Sequence, residues 1–530
     1  MDTLLNQKPC VVETPQGFSV SYKNHFLYSK YNPSKTILQT ISSLNLLPGT
    51  IILCNSPVLE YGIKELQNIL PSDSLILFCE ADSELKEFTL QNNKEIDVSN
   101  YYSGQSLNDL PLTIYKLVEQ NLYKRVIRID FSAGTQFYST LYDEVFQACT
   151  NSISTFWKNR ITLTKFGRKY SYNLFWNLKR LTNSTPISSF TGKISKPILV
   201  CGAGQSLDFL LADTSINIRD FFILAVDTAL QPLQKHNIIP DGVFIEEAQA
   251  VISKAFIGAH KNVHYFAGLS SIPFLYHTVP AEKLSFFATE YTNADFFERL
   301  KQLACFPAIN KPFGSVGLTA VYYALKFRKN DSIPVYFTGL DFSYSAGFTH
   351  AKNTLAHNTR LISNNRIISI ENYGAAFNAT TTKLQDKNRN IFYTTPTLSS
   401  YAQLFNHLFA YTPNLYDCGI SGIPLAVVRA KPTVTDYGKN EITQEQFSNK
   451  QKQEIKDFLE LEKKSLVYLR DLLTGKVEKT GETLEKEISE LIRSREYLYL
   501  HFADGFKYKY TQSFLNRVRT EIDFFLKALE

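Results

Sequence analysis

Between residues 195 and 430 the chain repeats one pattern. A short run of apolar, β-branched or aromatic residues closes on a glycine, a carboxylate or a small polar residue. The runs are "PILVCGAG", "DFFILAVDTAL", "DGVFIEE", "KNVHYFAG", "KLSFFAT" and "IPVYFTGLDF". Unbroken apolar runs of this length are strands buried on both faces. Several are followed by stretches of helical character, and that alternation specifies an open α/β sheet with helices on its faces. In such a sheet ligands lie outside the carboxyl ends of the strands. The residues that close each run are therefore the candidates for function.

The rest of the chain divides around this zone. Residues 1–150 predict an N-terminal α/β domain, with "TIILCNS" (50–56) and "SLILFCEA" (74–81) as strands and "VLEYGIKELQNIL" (58–70) as the helix between them. "YKRVIRIDF" (123–131) predicts a later strand. Residues 151–194 form a basic, aromatic connecting segment, in which Trp157, Phe166, Tyr170, Phe175 and Trp176 alternate with lysines and arginines. Interleaved bases and aromatics can grip a polymer, but an amphipathic connecting helix explains the same pattern more simply. Residues 195–435 are the central domain, and 436–530 turn helical and charged, a C-terminal helical domain.

Composition sets the class. Among 530 residues, 56 Lys+Arg against 50 Asp+Glu is too even for a nucleic-acid binder. No stretch approaches 18 unbroken apolar residues, so no membrane span is expected. The start, MDTLLNQKPC, lacks the basic and apolar regions of a signal peptide. Seven scattered cysteines, with no CxxC, fit reduced thiols in a cytoplasm and offer no structural zinc site.

Four elements stand at the candidate strand ends. Gly202, Gly204 and Ser206 in "ILVCGAGQSLDFLL" form a turn that opens a helix, where backbone N–H groups can meet a phosphate. Asp227 and Thr228 close the next run and are placed to read a ribose or base. Gly314 and Ser315 in "NKPFGSVGLTAVYYAL" precede a helix and offer a second anion site. Asp341, Tyr344 and His350 lie in "GLDFSYSAGFTH". His350, near neutrality by nature, is the candidate proton carrier, with Thr349 beside it and His357 as its spare. The dinucleotide fingerprint wants a small residue where this chain has Leu207, which weakens a nicotinamide dehydrogenase reading although Asp227 suits it. No G-K-[ST] follows a glycine loop, which excludes a Walker loop. No Asp-x-Asp occurs, so a donor needing no metal is expected, and no metal ligand or cofactor is assigned.

The ordered set "ILVCGAGQSLD", "ILAVDTALQPLQKHNIIPDGVFIEEAQ", "FGSVGLTAVYYAL" and "GLDFSYSAGFTH" resembles the motility accessory factor family of bacterial flagellin glycosyltransferases. The resemblance covers about 195–430. It implies a central Rossmann-like sheet similar to metal-independent sialyltransferases. It also implies transfer of a nonulosonic acid, of pseudaminic or legionaminic type, from its CMP-activated form to Ser or Thr of flagellin. It implies Glu247 and Gln249 as sugar or acceptor contacts, with Glu247 standing where the family keeps Asp and Gln205 where it keeps Pro. Two alternatives stay open: a flagellin-binding chaperone without catalysis, and a pterin or nucleotide pyrophosphokinase of the same domain type.

Overall fold

The computed structural model describes residues 8–259, 262–273, 278–292, 294–367, 369–370, 377, 380–385, 390–434, 438–443, 445–505 and 507–530. The chain forms two compact units, Met1–Leu163 and Thr164–Glu530.

The first unit opens on an antiparallel meander of β1 (Cys10–Thr14), β2 (Gly17–Tyr22) and β3 (His25–Phe26). A parallel sheet follows, built from β4 (Thr50–Asn55), β5 (Leu75–Glu80), β6 (Tyr101–Ser103) and β7 (Arg125–Asp130) in the order β6-β5-β4-β7. The unbroken apolar run of β4 has a simple cause, since both its faces are covered. Ile51 and Leu53 pack with Leu110, Ile114 and Val118 of the helix Leu110–Asn121, while Ile52 and Cys54 pack with Ile63 and Leu66. The helix expected over 58–70 is shorter, Ile63–Asn68. Ser56 (φ 49°) and Gly62 (φ 82°) are left-handed, and Val58 and Leu59 between them pack into the core as loop residues.

One carboxyl in this unit is unusual. Glu80, fully buried at the end of β5, accepts from Ser56 Oγ (2.8 Å), Tyr142 Oη (3.1 Å) and the Asp82 amide (3.1 Å). Burial pushes its pKa up to about 7, and the three hydrogen bonds offset only part of that rise.

The second unit holds a larger sheet. Its strands are β8 (Ile198–Cys201), β9 (Phe222–Val226), β10 (Gly242–Ile245), β11 (His264–Gly268), β12 (Leu284–Thr289) and β13 (Ile309–Asn310), then β14 (Val335–Thr338). A separate hairpin, β15 (Thr382–Gln385) and β16 (Ile391–Thr394), precedes β17 (Leu415–Asp417) and β18 (Val428–Arg429). Among the described residues the sheet order is β13-β12-β11-β10-β9-β8-β14-β17-β18, and every pairing is parallel. The chain walks outward from β8 to one edge and then returns to β14 on the other side of β8. The pair β8 and β14 is thus the topological switch point of a doubly wound sheet.

The run Trp157–Trp176 falls inside one helix, Ser139–Leu181. Within the second unit its aromatics are buried or half-buried, while Lys165, Arg168, Lys169 and Arg180 reach the surface. Arg168 pairs with Glu521 at 2.7 Å and lies over the Phe524 ring at 3.7 Å, and Phe175 is fully buried. The helices Asn449–Leu473, Gly481–Arg493 and Gln512–Leu529 belong to this same unit. Glu462, on the first of them and 0% exposed, holds Arg299, Arg495 and the Tyr497 hydroxyl together. No helix among the described residues is long and apolar enough to cross a membrane.

Candidate functional site

Beyond the ends of β8 and β14 the two backbones nearly touch. Gly202 N–H donates to Thr338 O and Gly204 N–H to Gly339 O, both at 2.8 Å. A Cβ on Gly202 would lie 2.6 Å from Leu340 Cδ2 and 2.7 Å from the Gly339 carbonyl carbon. A Cβ on Gly204 would lie 2.5 Å from Asp341 Oδ2. Gly339 is itself left-handed at φ 71°. The two glycines read from the sequence as room for a phosphate are thus required by this crossing. Their amides donate inside the protein.

Asp341 completes the crossing. It is 3% exposed, and its Oδ2 accepts from the Ser206 amide at 2.8 Å and from Ser421 Oγ at 3.3 Å. The Ser421 amide in turn donates to Ser206 Oγ at 3.1 Å. A carboxylate at the start of the helix Ser206–Ala212 is favourably placed against the unsatisfied N–H groups there. The loop it sits on is held in a strained shape: Phe342, 7% exposed, has φ 50°, and bulky residues rarely adopt that region. Gly422, at φ 100°, leaves no room for a side chain, since a Cβ would lie 2.6 Å from the Asp341 Cα.

A pocket of about 190 Å³ opens over this crossing. Its lining includes the polar Gln205, Asp341 and Ser421 and the aromatic Phe209, Tyr344 and Phe392. Tyr344 is tied to Tyr393 by a reciprocal pair of backbone hydrogen bonds (2.9 and 2.8 Å), and their rings stack at 6.2 Å. The hairpin β15–β16 therefore forms one wall. The pocket sits where a doubly wound sheet places its ligand.

A second polar group lies along the same edge of the sheet. Asp227, 4% exposed after β9, accepts from the Thr228 amide (2.6 Å) and hydroxyl (2.8 Å). Burial raises its pKa to about 6, with the Glu247 charge adding to the rise. Glu246, after β10, accepts from Thr319 Oγ1 (2.8 Å) and Thr289 Oγ1 (3.3 Å). Burial raises it to about 7, with Asp227 again repelling. Glu247 accepts from the Gln249 amide at 2.8 Å. Thr319 belongs to the helix Val316–Phe327, whose N-cap is Ser315. Gly314, at φ 71°, brings that loop against Tyr401, whose hydroxyl burial and Glu246 hold in its neutral form. Gly314, Ser315, Asp227 and Glu247 thus group around Glu246. Leu340 joins this group to the pocket, because Gly317 and Gly202 both abut it.

His350 is anchored beside the first glycine turn, since the amide of the next residue, Ala351, donates to Ala203 O at 2.8 Å. Thr349 Oγ1 is 3.1 Å from its Nδ1. Burial, aided by the charge of Arg360, holds its pKa below the ordinary value, so the ring is neutral at pH 7. A neutral imidazole is competent to accept a proton. His357 is 7% exposed, stacks on Phe348 at 5.6 Å, and is likewise lowered by burial.

Sequence reasoning missed Glu246, Ser421, Gly422 and the hairpin residues Asn390–Phe392. "FIEE" does carry two carboxylates at a strand end, and "DCGISG" after β17 has the small residues of a ligand loop. Both signals were readable. The hairpin had no such signal.

By fold, this is a doubly wound α/β protein with a large parallel sheet and a pocket at its switch point. It shares that fold with the MAf glycosyltransferase from Magnetospirillum magneticum AMB-1, at a TM-score of 0.53 and 11% identity over 98% of this chain and 91% of that one. A family model described as 6-hydroxymethylpterin diphosphokinase MptE-like matches residues 172–347. The chain is also 33% identical, over 554 aligned residues, to an uncharacterized protein of Treponema pallidum (strain Nichols), covering 98% of this chain and 95% of that protein. It belongs to the family of that treponemal protein.

Proposed function

We propose that this chain is a glycosyltransferase. It moves a nonulosonic acid of pseudaminic or legionaminic type from its CMP-activated donor to Ser or Thr hydroxyls of flagellin, in the cytoplasm and without a metal. The observations that carry the reading are the pocket at the β8/β14 switch point and a neutral histidine anchored next to the first glycine turn, on the fold of a glycosyltransferase.

In this reading the acceptor hydroxyl attacks the anomeric carbon as the bond to the donor phosphate breaks. His350 takes the hydroxyl proton. Gly314 and Ser315, at the amino end of the 12-residue helix Val316–Phe327, meet the departing phosphate with N–H groups and a hydroxyl. Asp227 and Thr228 contact the ribose, and Glu247 and Gln249 the sugar or acceptor. Gly202, Gly204 and Ser206 shape the nucleoside end, and Asp341 and Tyr344 line it. The test is incubation of the chain with CMP-nonulosonic acid and purified flagellin, with and without EDTA, read as intact-mass increments. Increments that survive EDTA support the proposal. Flagellin that is bound but never modified would point to a holder instead.

The family-model match over 172–347 favours one second reading, transfer of a diphosphate from ATP to a pterin alcohol. The carboxylates Asp227, Glu246 and Glu247 would then face the substrate's Mg²⁺-bound phosphates. Release of AMP from ATP that depends on 6-hydroxymethylpterin would establish it.

A further inference from the structure

The side chain of Gln205 has no task in its own helix. Gln205 stands at the N-cap of the helix Ser206–Ala212, and its side chain makes no capping hydrogen bond. Helix starts are ordinarily capped by a side-chain oxygen of Ser, Thr, Asp or Asn. Here Asp341 supplies that oxygen from another loop, accepting from the Ser206 amide at 2.8 Å. The backbone at Gln205 makes no demand for this residue either, since φ of −61° is open to almost any side chain. The side chain instead forms part of the lining of the switch-point pocket.

There it meets a hydroxyl on a fixed mount. Ser345, also in the lining, donates from Oγ to Gln205 Oε1 at 2.7 Å, the separation of an oxygen–oxygen pair. Tyr344, just before it, is locked to Tyr393 by reciprocal backbone hydrogen bonds, and the Ser345 carbonyl accepts from the Phe348 amide at 3.0 Å. The Gln205 amide is therefore oriented through its oxygen. A primary amide also carries two N–H donors. Among the described residues none accepts from those of Gln205, so they are left for whatever enters the pocket. Neutral donors suit a neutral acceptor oxygen. The aromatic lining, Phe209, Tyr344 and Phe392, suits a flat ring.

We propose that Gln205 is a specificity-determining residue of this pocket: oriented by Ser345, it donates to the ring carbonyl of a heterocyclic base. The proposal deepens the reading given above, on which it rests for the identity of the base. Cytosine and pterin both carry such a carbonyl.

Equilibrium binding to the full chain tests this with cytidine and 2-thiocytidine, in which sulfur, a weak acceptor, replaces the ring oxygen. The parent is expected to bind cytidine roughly fivefold more tightly, the scale of one neutral hydrogen bond. Gln205→Met keeps the length of the side chain and loses the amide. It is expected to bind cytidine roughly fivefold more weakly than the parent does and to bind the two nucleosides alike. Ser345→Ala leaves the amide free to turn and should fall between parent and Gln205→Met. The pterin arm compares 6-hydroxymethylpterin with its thiocarbonyl analogue in the same proteins. A cytidine preference that depends on Gln205 assigns the pocket to a cytosine nucleotide. The same dependence for the pterin alone supports the role of Gln205 and removes the glycosyltransferase reading. Equal ratios in parent and Gln205→Met in both arms, or no binding in either arm, would overturn the proposal. A parent ratio near one in both arms overturns it without any variant having to fold. Sugar transfer from a CMP donor, with cytidine binding indifferent to Gln205→Met, overturns this inference alone. Cytidine binding that depends on Gln205, without sugar transfer, removes only the transfer reading.

Discussion

Replacing Gly202 with alanine inserts a methyl group into the crossing of β8 and β14. The new carbon would sit 2.6 Å from Leu340 Cδ2 and 2.7 Å from the Gly339 carbonyl carbon, and would also meet Gly339 O. Leu340 could turn aside, but Gly339 is backbone, tied to the opposite strand by the Gly204 amide. Relief requires the two strand ends to part. Overpacking of this kind costs about 1–3 kcal/mol, and the rigid partner places this site near ~3 kcal/mol. The second unit has roughly 370 residues. At ~2.1 cal/mol/K per residue its unfolding entropy is ~0.8 kcal/mol/K, so the expected fall in Tm is about 4 °C. Gly438→Ala is the control, since its Cβ would meet nothing nearer than Ser195 Cβ at 4.0 Å. Differential scanning calorimetry of both variants reads the difference. A Gly202→Ala transition within about 1 °C of the parent would refute the argument that this glycine is required by the strand crossing.

Other expectations follow from particular groups. Glu80 has its folded pKa raised from 4.5 to about 7, so the folded state holds a proton that the unfolded state releases. Stability of the first unit should therefore fall as pH rises from about 4.5 to 7, by on the order of 3 kcal/mol, and urea melts of Glu80→Gln should lose that slope. Glu462→Ala leaves Arg299 and Arg495 without their shared carboxylate, and chemical denaturation should show a loss of ~3–5 kcal/mol. His350→Ala should lower sugar transfer by roughly 10²–10⁴-fold with little change in nucleotide affinity, whereas His357→Ala should leave turnover near the parent's. Full transfer activity in His350→Ala would remove that histidine from the mechanism.

The long strands were legible because burial on both faces leaves an unbroken apolar run. The runs "TIILCNS", "DFFILAVDTAL" and "KNVHYFAG" contain β4, β9 and β11, each strand being shorter than the run that revealed it. The two-residue strands β13 and β18 and the hairpin β15–β16 left no such trace, because they are short and partly exposed. The candidate site was legible as a set of strand ends and illegible as a geometry. Asp341 and Ser206 are 135 residues apart in sequence, and nothing local announces that one binds the other. A glycine needed for a close backbone crossing also looks, in sequence, the same as a glycine needed for a phosphate. Glu246 and Glu247 are adjacent, so they leave β10 in different directions. Only the packing of Thr289 and Thr319 shows which carboxyl is drawn into the protein.

The activity proposed for this chain is transfer of an activated sugar to protein. Its most direct test is the intact mass of purified flagellin after incubation with the full chain and CMP-activated nonulosonic acid. Discrete increments of one sugar residue each are expected, matched by CMP release and slowed roughly 10²–10⁴-fold in His350→Ala. Unchanged flagellin mass with both CMP-pseudaminic and CMP-legionaminic acid, alongside AMP release from ATP in the presence of 6-hydroxymethylpterin, would contradict it.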